Sequence, residues 1–286
     1  MTSVSVIIPT CNAGEYIGAQ LDVLLRQTVR PCEIIVIDSA SDDATCEVAA
    51  SRGGEVKLIK IRREEFDHGG TRDYALRESH GEFVLFLTQD ARPTDERYIE
   101  NLIAPMLRDS AVAAVCARQV AYPDAREYER LNREFNYPTQ GRIWSAADID
   151  RLGVKAYFFS DACSAYRRSA YEAVGGFDRP IETNEDMLIA AKFIHAGFKL
   201  AYEPTAQVYH SHCFTLRREY ERNKSIARVM ARYEARLVGA NSDSEGWRLA
   251  MTVSAQLLRQ GRVISLVHFI AVLAARFLGN RAGSRA

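Results

Sequence analysis

The sequence predicts an α/β fold, a mainly parallel sheet flanked by helices, followed by a helical C-terminal extension. Over the first 116 residues, short apolar runs rich in β-branched residues alternate with segments whose apolar residues recur at helical spacing. Strands that are apolar throughout are typical of a parallel sheet covered on both faces. After Phe214 the helical spacing continues almost to the end of the chain.

The order of these elements predicts where a site would lie. Strands are predicted at 4–8, 33–37, 56–61, 83–87 and 112–116. Helices are predicted at 14–27, 43–50 and 185–196. In such sheets ligands bind beyond the carboxyl ends of the strands, so polar residues directly after each strand are the first candidates for function.

The charge of the chain is unevenly distributed. The 286 residues have a formal net charge of +0, yet residues 214–286 carry 13 Lys and Arg against 5 Asp and Glu. A basic extension on an acidic body favours an anionic partner. Because the extension has no recognisable nucleic-acid-binding motif, we predict a membrane surface and no nucleic acid.

Cysteine usage and hydropathy predict a cytoplasmic protein, peripheral at the inner face of the membrane. The six cysteines form no CxxC pair, which argues against a zinc knuckle or a disulfide framework. The N-terminus opens on a strand pattern without a signal-peptide pattern. The longest apolar stretch, residues 263–275, is shorter than the roughly 20 residues of a spanning helix.

Three predicted strands end in polar clusters. The first ends in Pro9-Thr10-Cys11-Asn12, the second is followed by residues 38–45, and the fourth leads into Thr88-Gln89-Asp90. Asp43 is best interpreted as a helix cap. Asp38 ends one apolar run and Asp90 comes three residues after another, where an uncompensated charge would be costly, so both are candidates for ligand or cation binding.

Three later motifs also carry candidate chemistry. Gly69-Gly70 before Arg72 opens a helix, where the backbone can approach an anion, although Gly-Gly loops are common. The adjacent acids Glu185 and Asp186 open another helix and would also complement its dipole. His210 and His212 are two residues apart after a strand, so they point the same way, as metal ligands would.

Trp144 and Asp161, which precede the Glu185-Asp186 pair in the sequence, are candidates for contacts with a second substrate. Trp144 is able to stack on a sugar ring, although core packing is the commoner role of a tryptophan. Asp161 is able to accept a hydrogen bond from a sugar hydroxyl.

Taken together, these motifs resemble family 2 glycosyltransferases with the GT-A fold. Residues 4–14 are similar to that family's first strand and turn, and residues 34–45 to its nucleotide-binding strand, with Ser39 in place of the usual second acid. Thr88-Gln89-Asp90 stands where the family has its Asp-x-Asp metal motif, with only the last acid kept. The resemblance implies a catalytic domain at 1–213, with a nucleotide-sugar-binding half (1–116) and an acceptor half (117–213), and an extension at 214–286.

The resemblance also implies residue roles in an inverting transfer. Asp186 would be the catalytic base, and Glu185 would hold the acceptor or orient Asp186. Asp90 with His210 would hold Mg²⁺ or Mn²⁺ against the donor diphosphate. Trp144 and Asp161 would contact the acceptor. The implied donor-binding residues are Thr10, Asp38, Ser39, Gly70, Arg72 and Gln89.

His-Gly-Gly-Thr-Arg at 68–72, followed by Gln89-Asp90-Ala91, resembles the rhamnosyltransferase branch of the family. The implied donor is dTDP-L-rhamnose, and the implied acceptor is a cell-surface glycan or its lipid-linked precursor. Two alternatives stay open: the same fold with a UDP-hexose donor, and a nucleotide-sugar-binding module without turnover. A dinucleotide-dependent oxidoreductase is excluded because the first turn, residues 9–14, lacks GxGxxG.

The role of the extension is left between two interpretations. Its apolar end, from Leu257 to Ile270, with Arg259, Arg262 and Arg276 nearby, is typical of a helix lying on an anionic membrane. The alternative is packing on the catalytic domain or a homodimer through these helices.

Overall fold

Nine strands form a single sheet in the part of the chain that the computed structural model describes, residues 2–237 and 243–285. Their bounds are β1 (Val4–Thr10), β2 (Glu33–Ser39), β3 (Val56–Ile61), β4 (Phe83–Leu87), β5 (Arg92–Pro93), β6 (Val112–Val120), β7 (Arg142–Trp144), β8 (Cys163–Arg167) and β9 (Lys199–Tyr209). The strand order is β3-β2-β1-β4-β8-β6-β9-β5, and β7 pairs with β9.

Helices cover both faces of this sheet and form the extension. Their bounds are α1 (Ile17–Leu24), α2 (Thr45–Ala50), α3 (His68–Arg77), α4 (Tyr98–Arg108), α5 (Glu127–Asn136), α6 (Ile149–Leu152), α7 (Arg168–Ala173), α8 (Glu185–His195), α9 (Leu216–Arg232), α10 (Asp243–Arg259) and α11 (Val263–Gly283). Two large apolar clusters, one on each side of the sheet, form the core.

The predicted parallel sheet is confirmed for the first four strands. β1 pairs in parallel with β2 and β4, and β2 pairs in parallel with β3. The second half is mixed, because β8 runs antiparallel between β4 and β6. The sequence does not reveal this reversal, since a buried antiparallel strand is as apolar as a parallel one.

The C-terminal end of β9 is placed by its neighbours. β9 pairs in parallel with β6 across a register shift after Ala117, and it pairs antiparallel with the short β5, Arg92 opposite Tyr209. Asp90 lies two residues before β5, and His210 directly follows β9. The pairing of β5 with β9 therefore brings these two residues together from distant parts of the sequence.

The extension packs on the catalytic domain by close helix contacts. α11 lies against α9, and an added Cβ at Gly279 or Gly283 would sit 2.3 Å from the Tyr220 carbonyl oxygen or 2.2 Å from that of Lys224. A smaller apolar cluster joins α5 to α10 and α11. α11 is longer than the apolar stretch found in the sequence, and by length and composition it could cross a membrane.

The glycine contact predicts a specific stability effect. Gly279→Ala is expected to lower the free energy of unfolding by about 1–3 kcal/mol, because the methyl group collides with backbone that cannot move aside. Gly246→Ala is the matched control, since its Cβ would meet nothing within 4 Å. That control should be neutral or stabilising by up to about 1 kcal/mol. Chemical denaturation measures both, and equal behaviour would contradict close α9–α11 packing.

Candidate active site

Three side chains at the carboxyl end of the sheet lie close enough together to hold a metal ion, and they are the candidate metal donors. His210 Nε2 lies 3.5 Å from Asp90 Oδ1, and His212 Nδ1 lies 3.3 Å from Asp90 Oδ2. One donor atom from each residue lies within 4.8 Å of the other two. Two imidazoles and one carboxylate fit a divalent transition ion and leave coordination positions open for substrate. His212, ranked behind His210 in the sequence analysis, faces Asp90 as directly.

The ring of His210 is oriented by a network that the sequence analysis missed. Its Nδ1 lies 2.7 Å from Gln119 Oε1, which also accepts a hydrogen bond from Arg133. Gln119 Nε2 donates to Ser160 Oγ at 2.9 Å. Because arginine only donates, the atom facing it is the amide oxygen, and His210 Nδ1 must carry the proton. Nε2 is thereby left with its lone pair directed at Asp90, as metal binding requires.

The charge states of the three donors also suit a cation. Burial lowers the pKa of His210, and burial together with the neighbouring His210 lowers the pKa of His212 to about 3. Burial acts to raise the pKa of Asp90, but in the acidic range where Asp90 titrates His210 is protonated, and its hydrogen bond and charge then hold that pKa well below its usual range. The set therefore offers two neutral imidazoles and one carboxylate.

His212 is held from the other side by stacked side chains. The ring of Phe214 stacks on His212 with centroids 4.5 Å apart, and the guanidinium of Arg218 lies 4.3 Å above the Phe214 ring. Phe214 and His212 line two neighbouring cavities, of about 350 and 560 Å³. The metal donors thus stand at the boundary between these cavities.

The smaller cavity contains the predicted base. Asp186, in the first turn of α8, lines it together with His210 and His212. Asp186 Oδ1 accepts a hydrogen bond from the Met187 backbone N–H at 2.8 Å, and Oδ2 accepts one from the Asp161 N–H at 3.3 Å. These two amides fix the carboxylate at the cavity wall.

Asp161 and Glu185 lie beside Asp186, and the three carboxyl groups form an acidic cluster. Asp161 Oδ1 accepts hydrogen bonds from Ser164 Oγ at 2.7 Å and Tyr166 Oη at 2.6 Å, and its side chain is fully buried. Burial raises the pKa of Asp161 to about 6, although Arg72 acts to lower it. Burial, with the charges of Glu185 and Asp161, raises the pKa of Asp186 well above its usual range. Asp186 is therefore a stronger base than an ordinary carboxylate.

Arg72 lies in this acidic cluster. Its Nη1 is 3.1 Å from Glu185 Oε1 and donates to the His68 carbonyl at 3.0 Å, and its Nε is 3.8 Å from Asp161 Oδ2. The residue is 4% exposed. Among the described residues, neither Arg72 Nε nor Asp161 Oδ2 has a hydrogen-bond partner. The structure thus places Arg72 against the carboxylates near the base, where the sequence analysis expected a contact with the nucleotide.

Asp38 and Thr10, two of the predicted donor-binding residues, are engaged within the protein. Asp38 accepts hydrogen bonds from Thr10 Oγ1 at 3.0 Å, from the Ser41 N–H at 2.9 Å and from Ser41 Oγ at 2.5 Å. These bonds outweigh the effect of burial and lower the pKa of Asp38. Asp38 therefore fixes the turn after β2. The buried Ser39 Oγ has no partner among the described residues.

Gln89 and Asp43 connect the loops that follow the strands. Gln89 Oε1 accepts from the Cys11 N–H at 2.8 Å, and its Nε2 donates to the Cys11 carbonyl at 3.2 Å. Asp43, expected to cap α2, accepts a hydrogen bond at 3.0 Å from the N–H of Thr45, the first residue of α2, and another at 2.9 Å from the Gly14 N–H. Both side chains hold the loop after β1 in place. Gln89 also lines the larger cavity beside Asp90.

The two remaining predicted site residues, Gly70 and Trp144, have structural roles in the described conformation. Gly70 donates its N–H to the helix-capping side chain of Asp67 at 2.5 Å, so a carboxylate already occupies the N-terminus of α3. Trp144 is buried, and its indole N–H donates to the Ala156 carbonyl at 2.7 Å. In the described conformation Trp144 offers no surface to an acceptor, and core packing, the alternative interpretation, accounts for it.

Comparison with known proteins assigns this arrangement to a family. A family model described as glycosyl transferase family 2 matches residues 5–175. The chain belongs to this family. It is therefore a glycosyltransferase, which confirms the class predicted from its motifs.

Two relatives are similar over most of their length. The chain is 36% identical to the O-antigen chain rhamnosyltransferase RfbN of Salmonella typhimurium, over 98% of this chain and 89% of the relative. It is 42% identical to the O-antigen chain rhamnosyltransferase WbaN of Salmonella anatum, over 78% of this chain and 70% of the relative.

Solved glycosyltransferases share the fold. The mannosyltransferase PcManGT from Pyrobaculum calidifontis, in complex with GDP-Man and Mn²⁺, superposes with a TM-score of 0.67 at 20% identity, over 98% of this chain and 86% of that chain. S. aureus TarS in complex with UDP-GlcNAc superposes with a TM-score of 0.59 at 16% identity, over 99% and 92%. The GT-A fold predicted from the sequence is confirmed.

The hydrogen bonds of Gln119 predict that it sets metal affinity. Gln119→Leu should weaken Mn²⁺ binding about 10- to 100-fold, because His210 loses the partner that fixes its tautomer and orientation. Gln140→Leu, an exposed position, serves as control. Isothermal titration calorimetry with Mn²⁺ measures both, and unchanged affinity in Gln119→Leu would show that this network does not orient the ligand.

The position of Arg72 predicts a shift in pH dependence. Without its positive charge, Asp161 and Asp186 hold their protons to higher pH. The acidic limb of the kcat/KM profile of Arg72→Gln should therefore move up by about 1 unit. Arg77→Gln, on the same helix and largely exposed, is the matched control. An unmoved limb with only a raised donor KM would instead support the nucleotide contact expected from the sequence.

Proposed function

We propose that this glycosyltransferase transfers L-rhamnose from dTDP-L-rhamnose to a lipid-linked precursor of a cell-surface glycan, with inversion at the anomeric carbon. The observation that carries the proposal is one cavity lined by Asp186, His210 and His212, with Asp90 facing both histidines. The donor assignment is supported by the similarity to two O-antigen chain rhamnosyltransferases over most of the chain.

The donor side of the site is the larger cavity. It is lined by Asp90 and Gln89 and shares His212 and Phe214 with the cavity of the base. Asp90, His210 and His212 would hold Mn²⁺ or Mg²⁺ there, and such an ion supplies positive charge that stabilises the departing nucleoside diphosphate. The protein itself fixes the end of β1 and the loop that follows it through Gln89, Asp38 and Thr10.

The proposed reaction is a single displacement. Asp186 accepts the proton of an acceptor hydroxyl, whose oxygen forms a bond to the anomeric carbon. The bond from that carbon to the diphosphate oxygen breaks at the same time, and its electron pair leaves with the nucleoside diphosphate. Glu185 and Asp161 are held by Arg72 and by hydroxyl groups, so neither is placed as a nucleophile for a covalent route.

The raised pKa of Asp186 suits this step. A carboxylate that holds its proton more tightly is a better acceptor for a hydroxyl proton in the transition state. Its two backbone hydrogen bonds keep one orientation during the transfer. We infer that Glu185 acts through Arg72 on the electrostatics of the base and does not contact the sugar.

Turnover of a donor panel tests the proposal. Nucleoside diphosphate release is measured from dTDP-L-rhamnose, UDP-hexoses and GDP-mannose with Mg²⁺, Mn²⁺ or EDTA, in the presence of a bacterial lipid extract as acceptor. Release is expected from dTDP-L-rhamnose only with metal, and Asp186→Asn should lower kcat about 10²- to 10⁴-fold. Asp150→Asn, an exposed acid, is the control.

The outcomes separate the alternatives. Preference for a UDP-hexose would keep the mechanism and overturn the rhamnosyl assignment. Metal-dependent donor binding in calorimetry, without release for any donor or extract, would favour a binding module. Full activity of Asp186→Asn would exclude that residue as the base.

A further inference from the structure

The two C-terminal helices carry an outer surface that is unusually apolar. On α11 the exposed large side chains are Val263, Ile264, Val267, Ile270, Phe277 and Leu278. At 100° per residue they fall on one side of the helix, with Ile264 87% exposed. On α10, Trp247, Met251 and Leu258 are exposed at helical spacing, Trp247 at 72%. We call these nine residues the apolar face.

The opposite side of α11 is already packed. Phe269 and Val272 are buried in the cluster with α5 and α10, and Gly279 and Gly283 contact the backbone of α9. A surface helix with one packed side normally exposes polar residues on the other. An exposed apolar surface of this extent indicates a partner.

The charges around the apolar face favour one kind of partner. From residue 246 to residue 286 the sequence has six arginines and no Asp or Glu. Arg276 is neutralised by Glu219 at 2.9 Å, and Arg248 by Glu245. The exposed Arg259, Arg262 and Arg281 have no ion pair within residues 2–237 and 243–285. Anionic lipid headgroups would supply the missing negative charge.

A second copy of the chain fits these charges less well. Two copies of α11 packed through the apolar face would bring Arg262 and Arg281 of each copy near arginines of the other. Like charges at an interface are destabilising, and no acidic side chain of α11 compensates them. A bilayer buries the same apolar side chains and neutralises the arginines.

A spanning orientation of α11 is disfavoured by its neighbour. α11 is long enough to cross a membrane, but its glycine side is packed against α9. α9 carries eight charged residues: Arg217, Arg218, Glu219, Glu221, Arg222, Lys224, Arg228 and Arg232. Insertion of α11 would carry these charges into hydrocarbon or break the helix pair. The helix therefore fits the plane of the headgroup boundary.

The apolar face lies beside the entrance to the active site. Leu216, at the start of α9, and four α11 residues including Ile264 line an apolar groove of about 420 Å³ together with His268. His268 contacts Arg126, which lines the larger cavity with Asp90. A bilayer seated on the apolar face would thus lie next to this cavity.

We propose that the apolar face of α10 and α11, with Arg259, Arg262 and Arg281, docks the enzyme on an anionic lipid bilayer as an interfacial surface. The Arg276 contact expected from the sequence is excluded from this surface, because Glu219 holds that side chain. The docking surface does not depend on the donor or acceptor proposed above, since bilayer binding is measured without turnover.

Vesicle flotation with the full chain tests this inference. The enzyme is expected to bind vesicles of phosphatidylcholine and phosphatidylglycerol mixed at 3:7 in ~0.1 M salt. This binding should weaken at high salt. Ile264→Ser with Val267→Ser and Phe277→Ser should weaken binding at least about 10-fold. Arg259→Gln with Arg262→Gln should weaken it about 30-fold on anionic vesicles. Leu107→Ser, on the exposed side of α4, is the matched control.

Each other outcome would overturn the inference. Salt-insensitive binding that resists alkaline carbonate extraction would show a spanning helix. Failure to float, with a dimer in sedimentation that the triple serine variant dissociates, would show that the face joins two copies. Circular dichroism melting verifies that every variant is folded. A folded triple serine variant that floats like the wild type would show that the apolar face does not bind the bilayer.

Discussion

The buried ion cluster of Arg72 with Glu185 and Asp161 is the constraint on which the rest of the site depends. Arg72 comes from α3, which packs beneath the parallel half of the sheet, and Glu185 opens α8 in the mixed half. Removing the carboxylates that pair with a buried cation lowers the free energy of unfolding by about 3–5 kcal/mol. The cluster therefore fixes α8 relative to α3 and the parallel half of the sheet, and with it the position of Asp186, the residue after Glu185.

The same cluster explains the chemistry expected of Asp186. Three carboxylates close together in a buried site cannot all ionise easily, so the pKa of Asp186 rises. Arg72 compensates Glu185 and partly Asp161. Asp186 faces the cavity and forms no ion pair within the part of the chain that the structure describes, although the charges of Arg72 and Arg222 also reach it. The protein thus separates one acid, the proposed base, from two that shape its electrostatics. The candidate metal donors have pKa values that are lowered instead of raised. His210 and His212 are therefore neutral and Asp90 is ionised, the charge states that bind a cation.

How much the sequence predicted depended on whether the determining interactions are local. The first four strands, α8, and the positions of Asp90, Asp186 and His210 followed from apolar periodicity and from motifs that resemble the family. The orientation of His210 by Gln119 did not, because the two residues are 91 positions apart in the sequence. Arg72 was assigned to the nucleotide by resemblance to the family, and its contacts with Asp161 and Glu185 could not be predicted because those residues are distant in the sequence. Trp144 was ambiguous because an aromatic side chain is able either to pack in the core or to stack on a ligand, and only its burial separates the two roles.

α9 connects the chemistry to the proposed lipid surface. On one side, Glu219, Arg222, Asn223 and Ile226 form a wall of the cavity that holds Asp186. On the other, the carbonyls of Tyr220 and Lys224 receive the two glycines of α11. Because Gly279 and Gly283 contact the α9 backbone directly, a displacement of α11 would displace α9 together with it. The depth at which the apolar face sits in a bilayer would therefore set the height of the cavity above the lipid. For an acceptor whose sugar is attached to a lipid, that height decides which hydroxyl reaches Asp186, so the extension would contribute to linkage as well as to location.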